Sequence, residues 1–350
     1  MPIKLFGTLL FVAIVLGGLY FFLDRSDQTV PGKDTSQISK EQINVVATFY
    51  PLQQLAAGIV GDMGQVNAVV PAGMEPHDYE PSIGDIKKIY DADLFLLNGA
   101  GMDAWAEKLM PDLESKGVSS LRLADKVILL KSEEGSQHEH EQGVEHGDEH
   151  AKEGVERVSM GSMVGDEHGD EHEHGEWDPH FWLDPVSAKS LVSAIAEALS
   201  EKFPEKSSDF AANAGKISTE LDALDVAYRT SPSSCAKEEV VTSHDAFRYL
   251  AQRYGFETHA IAGISPEEEP SPKRLTELAS EVRAEGIKYI FFETLVSPKL
   301  AETLARETGA STLVFNPIEG LSAVDQAAGK NYFSVMKDNL AALQKALECK

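Results

Sequence analysis

Histidine and acidic side chains are concentrated in one stretch of this 350-residue chain. Residues 132–176 contain the tetrapeptide GDEH three times and seven of the 11 histidines: His138, His140, His146, His150, His168, His172 and His174. Neutral imidazoles and carboxylates bind zinc and related divalent cations. The stretch is rich in glycine and poor in aliphatic residues, so we expect a disordered loop that binds cations more weakly than a preformed site. We infer that it captures zinc from solution and passes the ion to a tighter, preformed site elsewhere in the chain. The alternative, a low-complexity insertion with incidental metal affinity, stays open.

A second group of metal-ligand types is scattered along the chain, beside predicted secondary structure. His77 follows a predicted strand, His244 directly follows another, and Glu293 ends a third. His180 lies in the segment DPHFWLDP, just before a predicted helix. Ligands of open α/β sheets bind beyond the carboxyl ends of the strands, so we expect these four side chains to converge in a cleft. His259 lacks such a placement, and we interpret it as an ordinary residue entering a strand.

The elements that would position these residues alternate along the chain. Short apolar runs predict strands at 43–49, 66–70, 94–98, 239–243, 288–293 and 311–315. Amphipathic runs predict helices at 51–61, 81–92, 187–203, 206–230, 246–255, 271–286, 297–309 and 332–348. Such alternation is typical of parallel sheets with crossover helices. The predicted fold class is therefore α/β, with two lobes, each a mostly parallel sheet flanked by helices.

The predicted division of the chain follows from these patterns. An N-terminal lobe covers 43–205 and includes the acidic, His-rich loop 132–176, and a C-terminal lobe covers 231–350. Between them, residues 206–230 form a long linking helix, of which one face carries Phe210, Ala214, Ile217, Leu221, Leu224 and Tyr228 at steps of three and four.

The N-terminus carries an apolar run from Leu5 to Leu23 after Lys4. About 17–25 apolar residues can span a bilayer. We expect residues 1–23 to be an uncleaved membrane anchor, with a cleaved signal as the alternative, and residues 24–42 to be a polar tether. Both interpretations export the rest of the chain. An exported protein with two cysteines favours a disulfide, here between Cys235 and Cys349.

Charge excludes one class of partner. The formal net charge is −26, and the His-rich loop alone holds 15 acidic residues against Lys152 and Arg157. A nucleic-acid partner is not expected, because the chain has no basic surface to neutralise phosphates.

Six motifs, in order, resemble one family. They are VVPAGMEPHDYEPS, DPHFWLDP, VVTSHDAFRYLAQRYG, GISPEEEPSPKRL, IFFETLVSPKLAETLARETGA and FNPIEGL. From about Ile43 to Cys349, the chain is similar to the zinc-binding substrate-binding proteins of the zinc/manganese (cluster A-I) ABC importers. An acidic, His-rich loop before the second ligand motif is also a feature of the zinc-type members.

The resemblance implies two lobes joined by a long rigid helix, with one metal in the cleft. Carried over motif by motif, the ligands would be His77, His180, His244 and Glu293. Many manganese-type relatives use an aspartate where Asn316 stands here. Since a neutral amide is a poor ligand, we expect Glu293, or a water in its place, to complete the site. Glu75, Asp178 and Asp245 lie next to ligand histidines and could orient their rings, or simply be solvated.

Three imidazoles and one carboxylate favour zinc, whereas manganese prefers oxygen-rich sets. We therefore expect a monomeric, non-enzymatic binding protein that carries Zn²⁺ as cargo, in the periplasm or on the outer face of the cytoplasmic membrane. Its partners would be an ABC permease and a cytoplasmic ATPase, with the N-terminal segment in the membrane. The alternatives are a carrier of manganese or another divalent cation, a surface zinc-storage or adhesion protein, and a zinc hydrolase. No HExxH or GxSxG motif supports the hydrolase.

Overall fold

Eight short strands form two parallel sheets in the computed structural model, which describes residues 42–132, 176–231 and 235–350. The first sheet contains β1 (Ile43–Ala47), β2 (Gly64–Ala68), β3 (Leu94–Leu97) and β4 (Ser119–Arg122). The second contains β5 (Glu239–Thr242), β6 (Glu257–Ala260), β7 (Tyr289–Phe292) and β8 (Ser311–Val314). Their orders, β2-β1-β3-β4 and β6-β5-β7-β8, repeat one topology. The predicted fold class, two parallel sheets flanked by helices, is confirmed.

Helices connect the strands, as parallel pairing requires. They are α1 (Tyr50–Val60), α2 (Ile83–Tyr90), α3 (Ala104–Ser115), α4 (Pro185–Lys202), α5 (Ser207–Thr230), α6 (Arg248–Tyr254), α7 (Pro272–Ala284), α8 (Lys299–Thr308), α9 (Ala323–Ala327) and α10 (Tyr332–Ala346). Short 3₁₀ turns lie at Gly61–Met63, Leu123–Lys126, Phe181–Leu183 and Pro204–Lys206. Asp184 caps α4 by accepting hydrogen bonds from the backbone N–H groups of Val186 and Ser187.

The long helix α5 contacts helices from both halves of the chain. It packs along α1 and α4 from the first half and against α10 from the second. Its buried side chains are the six predicted to line one face, so that prediction is confirmed. Residues Ile43–Lys350 form one compact unit, and the lobe boundaries at 205 and 231 stay a prediction.

Three elements were not predicted, namely β4, α3 and the short helix α9, and β6 was indicated only by the interpretation of His259. Strand β4 reads SSLR, and its polar, partly exposed residues at the sheet edge give no apolar run. Helix α3 contains Pro111, a residue that normally interrupts helices. For β4 and α3, packing against the buried strand β3, whose four residues are all apolar, overrides the weak local signal.

Three predictions concern residues outside the described ranges. The membrane anchor at 1–23, nearly all of the tether and residues 133–175 of the His-rich loop lie there. Within the described ranges, every helix is too short or too polar to cross a bilayer.

A disulfide joins Cys235 to Cys349, which confirms the predicted pair. The bond ties the C-terminus to the segment that leads into β5. The backbone N–H groups of Ala236 and Lys237 also donate to the carbonyl of Leu347, at 3.1 and 3.0 Å. These contacts lie at the amino end of β5, whereas His244 lies beyond its carboxyl end.

Candidate metal centre

Four side chains converge beyond the carboxyl ends of the strands: His77, His180, His244 and Glu319. Nε2 of His180 lies 3.3 Å from Nε2 of His77 and 3.3 Å from Nε2 of His244. Oε1 of Glu319 lies 3.4 Å from Nε2 of His77 and 3.3 Å from Nε2 of both other histidines. Three nitrogens and one oxygen therefore face a common centre.

Each member comes from a different loop, and two loops belong to each half of the chain. His77 lies between β2 and α2, and His180 lies between β4 and α4. His244 follows β5, and Glu319 follows β8. Our expectation that His77, His180 and His244 would meet agrees with this geometry.

Glu293 is not among the four, which corrects our expectation of the fourth member. Its Oε1 lies 2.7 Å from Nδ1 of His244 and accepts a hydrogen bond from the Ser243 hydroxyl at 2.5 Å. Nδ1 is on the opposite edge of the imidazole from Nε2, so this carboxylate contacts the far side of the ring. Glu293 directly follows β7 and contacts Ser243 and the far side of His244, whereas Glu319, after β8, is the carboxylate that faces the common centre.

The loop that presents Glu319 depends on an unusual turn. Oδ1 of Asn316 accepts a hydrogen bond from the backbone N–H of Ile318 at 2.7 Å, and Ile318 has a φ of +61°. Branched residues rarely adopt this left-handed conformation, so the surrounding contacts must hold it. Asn339 contributes two of them, because its side chain bonds both the N–H and the carbonyl of Asn316. Asn316 thus shapes the turn.

Asp178 contacts His180 in the way that Glu293 contacts His244. Its Oδ1 lies 2.9 Å from Nδ1 of His180 and accepts the backbone N–H of His180 at 2.9 Å. A carboxylate on Nδ1 fixes the tautomer that leaves the Nε2 lone pair free for a metal. Of the three predicted orienting residues, Asp178 therefore lies where we expected.

The other two predicted orienting residues have different contacts. Glu75 accepts a hydrogen bond from the backbone N–H of His77 at 2.9 Å, so its contact is with the backbone and not with the imidazole of His77. Asp245 lies 3.7 Å from the Arg248 guanidinium.

Burial and charge shift the pKa values of the four residues in different directions. Burial lowers the pKa of His77. Burial also opposes the charged form of His180, but Asp178 and Glu319 outweigh it and raise the pKa. For His244, burial is again outweighed, here by Glu293 and Glu319, and the pKa is raised well above 6.5.

The pKa values of Glu319 and Glu75 are shifted in opposite directions. Burial disfavours the charge of Glu319, but His244, His180 and His77 overcome it and hold its pKa well below the usual range. For Glu75, burial and the nearby Glu319 raise the pKa to about 10, so this carboxyl is neutral at pH 7. Of these two carboxyls, only Glu319 is therefore charged at pH 7, and it contacts the Nε2 atoms of all three imidazoles.

The seven loop histidines lie outside the described residues. His259 lies at the edge of the second sheet, where its Nε2 is 3.2 Å from Glu239 and its Nδ1 is 3.5 Å from Glu281. It is not one of the four converging residues, and it forms a separate group of possible metal-ligand side chains with Glu239 and Glu257.

Known zinc-uptake proteins match this chain in sequence. Residues 45–346 match the family described as zinc-uptake complex component A, periplasmic (ZnuA). The chain is 38% identical over 307 residues to the zinc-binding lipoprotein AdcA of Streptococcus pneumoniae, covering 88% of this chain and 56% of that protein. It thus spans a little over half the length of the AdcA proteins that it matches. It is also 37% identical over 318 residues to the high-affinity zinc uptake system protein ZnuA of Bacillus subtilis, covering 90% of this chain and 91% of that one.

A solved structure agrees with the sequence matches. The Zn(II)-bound ZnuA-like domain of Streptococcus pneumoniae AdcA superposes with a TM-score of 0.69 and 36% identity, over 88% of this chain and 99% of that domain. The family match covers most of the chain and includes all four converging residues. This chain therefore belongs to the ZnuA family of zinc-uptake binding components.

Proposed function

We propose that this chain is the extracytoplasmic zinc-binding component of an ABC importer. It binds one Zn²⁺ through Nε2 of His77, His180 and His244 and through Oε1 of Glu319, and delivers the ion to a membrane permease. Zinc is the cargo of this site and not a resident cofactor.

The observation that carries the proposal is the spacing of the four donor atoms. Five of the separations among them fall between 3.3 and 3.4 Å. In a regular tetrahedron each edge is about 1.6 times the distance from centre to corner, so such edges place the centre about 2.0–2.1 Å from every donor, the length of Zn–N and Zn–O bonds. The donors are therefore already spaced for tetrahedral zinc.

The types of donor support zinc over manganese. Three imidazole nitrogens and one carboxylate oxygen suit Zn²⁺, whereas Mn²⁺ prefers oxygen-rich sets with more ligands. The buried Glu319 charge offsets part of the charge of the ion, and the acid at Glu75 is neutral.

The donor count supports binding over catalysis. Catalytic zinc sites keep one position open for water or substrate, whereas a four-ligand protein set closes the shell. Here Glu319 fills the fourth position. We therefore propose a carrier and not a hydrolase, and measurement of hydrolase activity with zinc loaded would test this point.

The family supports the partners and the location that we propose. Binding components of this kind act with a permease and a cytoplasmic ATPase, and the related AdcA is named a lipoprotein. We propose that this chain acts as a monomer outside the cytoplasmic membrane, held near its permease by the N-terminal segment.

A competitive zinc titration of the metal-stripped full chain against a chromophoric chelator tests the proposal. We expect one tight site that His180→Ala weakens by more than about 100-fold, because three of its four ligands remain, and that His259→Ala, the matched control, leaves intact. Zinc uptake by cells that carry the His180→Ala chain in place of the wild type should fail when zinc is scarce. A tight site that persists in His180→Ala would refute the cleft assignment.

A further inference from the structure

The peptide unit that leads into His180 is held at both ends. Nδ2 of Asn98 donates to the carbonyl oxygen of Pro179 at 3.1 Å. The N–H of His180 donates to Oδ1 of Asp178 at 2.9 Å. Since this carbonyl and this N–H belong to one planar unit, the two bonds together fix the plane from which the His180 Cα extends.

Asn98 stands at a special position of the first sheet. It directly follows β3, whose neighbour is β1, and the order of the strands reverses between these two. Ligands of doubly wound sheets bind at such reversals. The equivalent strands of the second sheet, β5 and β7, are followed by His244 and Glu293. In the first sheet the same place therefore supplies a hydrogen-bond donor to the His180 segment.

A buried carboxylate holds Asn98 in turn. Asp103 accepts the backbone N–H of Asn98 at 2.6 Å and that of Gly99 at 2.8 Å. It also accepts the Thr48 hydroxyl at 2.7 Å, and Thr48 directly follows β1. Asp103 therefore joins the ends of both strands at the reversal.

The amide of Asn98 lowers the stability of the fold compared with an apolar side chain. The residue is fully buried, and its Oδ1 has no hydrogen-bond partner among the described residues. A buried polar atom without a partner destabilises the folded state, so an apolar side chain of similar volume would fill this place at lower cost. The amide adds two bonds from Nδ2, one to the adjacent Gly99 carbonyl and one to the Pro179 carbonyl, each at 3.1 Å; only the second reaches the His180 segment.

We propose that Asn98, held by Asp103, is a positioning residue for zinc binding that acts through His180. The inference rests on the proposed function and adds to it a pair of residues that never touch the metal. Loss of the Asn98 amide leaves the Pro179–His180 peptide held at one end only. The His180 ring then samples positions in which Nε2 is displaced from the other three donors.

The test is a double-mutant cycle between Asn98 and His180, read out by zinc affinity. Asn98→Leu removes the amide and keeps the volume. In the full chain with His180 present we expect zinc affinity to fall by about tenfold, as it does for residues that orient metal ligands. In the His180→Ala background the same change should alter the remaining affinity by less than about twofold, because the ring on which it acts is gone.

Asn213→Leu is the matched control. Asn213 also donates its amide to a distant backbone carbonyl, that of Ile59 at 3.1 Å, but on α5 and away from the site. We expect it to leave zinc affinity unchanged. If Asn98→Leu does not fold, Asp103→Asn carries the same cycle, with a smaller loss that again depends on His180.

Equal losses in the two backgrounds, or no loss in either, would overturn the inference. A wild-type chain without a tight site would instead overturn the proposed function, so the two failures are distinguishable. The visible spectrum of bound Co²⁺ gives a second readout, and Asn98→Leu should change it while Asn213→Leu should not.

Discussion

The carboxylate of Glu293 lies 2.7 Å from Nδ1 of His244, on the ring edge opposite the nitrogen that faces the metal centre. Oε1 of Glu319 lies 3.3 Å from Nε2 of the same ring. One imidazole thus separates two carboxylates. We propose that Glu319 binds the ion and that Glu293 orients the ring and favours its Nδ1–H tautomer.

The two carboxylates should therefore respond differently to loss of charge. We expect Glu319→Gln to weaken zinc binding by more than about 100-fold, because it removes a ligand, and Glu293→Gln to weaken it by about 10-fold. Competition against a chelator measures both. Glu239→Gln is the control, since Glu239 contacts His259 outside the site. A larger loss from Glu293→Gln than from Glu319→Gln would reverse the assignment.

Zinc affinity should fall with decreasing pH, beginning above pH 6.5. In the folded protein, neighbouring carboxylates raise the pKa of His180 and of His244. Both rings therefore still hold protons at pH values where a free histidine is neutral. Zinc must displace these protons, so lower pH favours the metal-free form by about tenfold per pH unit for each proton released. The pKa values of His77 and Glu319 are lowered instead, so these two groups contribute less to the proton release.

Zinc titrations at about pH 8, 7 and 6 measure this dependence, and calorimetry in buffers of different ionisation enthalpy counts the protons released. Equal affinity at pH 8 and pH 6 would contradict ligation by His180 and His244.

Asp103 should make the metal-free protein less stable as pH rises from about 4 to about 6. Burial raises the pKa of this carboxyl to about 6 in the folded state. Hydrogen bonds from Thr48, Asn98 and Gly99 lower the pKa but only partly offset the effect of burial. An acid with a raised folded pKa binds its proton more tightly when folded, so its stabilising contribution is present at low pH and is lost as pH rises through that pKa.

The predicted change is about 3 kcal/mol over this window, from a shift of about two pKa units. It appears as the difference in the free energy of unfolding between the wild type and Asp103→Asn, measured with denaturant at each pH. A difference that does not vary with pH would show that Asp103 ionises normally.

The disulfide should stabilise the fold without affecting zinc affinity. Cys235 and Cys349 are 114 residues apart, and removal of a native disulfide typically costs about 2–5 kcal/mol. Because the bond lies at the amino end of β5 and the site at its carboxyl end, we expect Cys235→Ser with Cys349→Ser to lower Tm and leave zinc affinity within about twofold. A large loss of affinity with intact secondary structure would show that the C-terminus positions the site.

We expect removal of the His-rich loop to leave the cleft intact, because the described residues on its two sides are hydrogen-bonded to each other. The N–H of Ser132 donates to the carbonyl of Glu176 at 3.0 Å, and that of Asp178 donates to the carbonyl of Leu130 at 2.8 Å. We expect a chain with 133–175 replaced by a short glycine linker to keep the tight zinc site and lose several weaker ones. Its zinc uptake should decline only when zinc is scarce. Uptake equal to wild type at every zinc level would contradict a capture role for the loop.

Three members of the site could be predicted because each stands in a loop that an apolar run or a helix start marks in the sequence. His77 and His244 follow strands, and His180 precedes α4. The loop after β8 was considered only through the family resemblance, at Asn316, and not through its place after a strand.

Glu319 was missed because its position depends on the backbone of that loop. The Asn316 side chain closes a turn through Ile318 in a left-handed conformation, and this turn directs the side chain three residues after Asn316 into the cleft. No periodic pattern marks such a turn. A carboxylate in the same short loop was nevertheless a signal that could have been weighed against Glu293.

The most direct test of the account is a crystal structure of the chain with one equivalent of zinc, with the ion located by anomalous diffraction at the zinc edge. The account predicts a single strong peak about 2.0–2.1 Å from Nε2 of His77, His180 and His244 and from one oxygen of Glu319, with Glu293 still on Nδ1 of His244. A peak among other side chains, or a peak bound by Glu293 with Glu319 turned away, would contradict it.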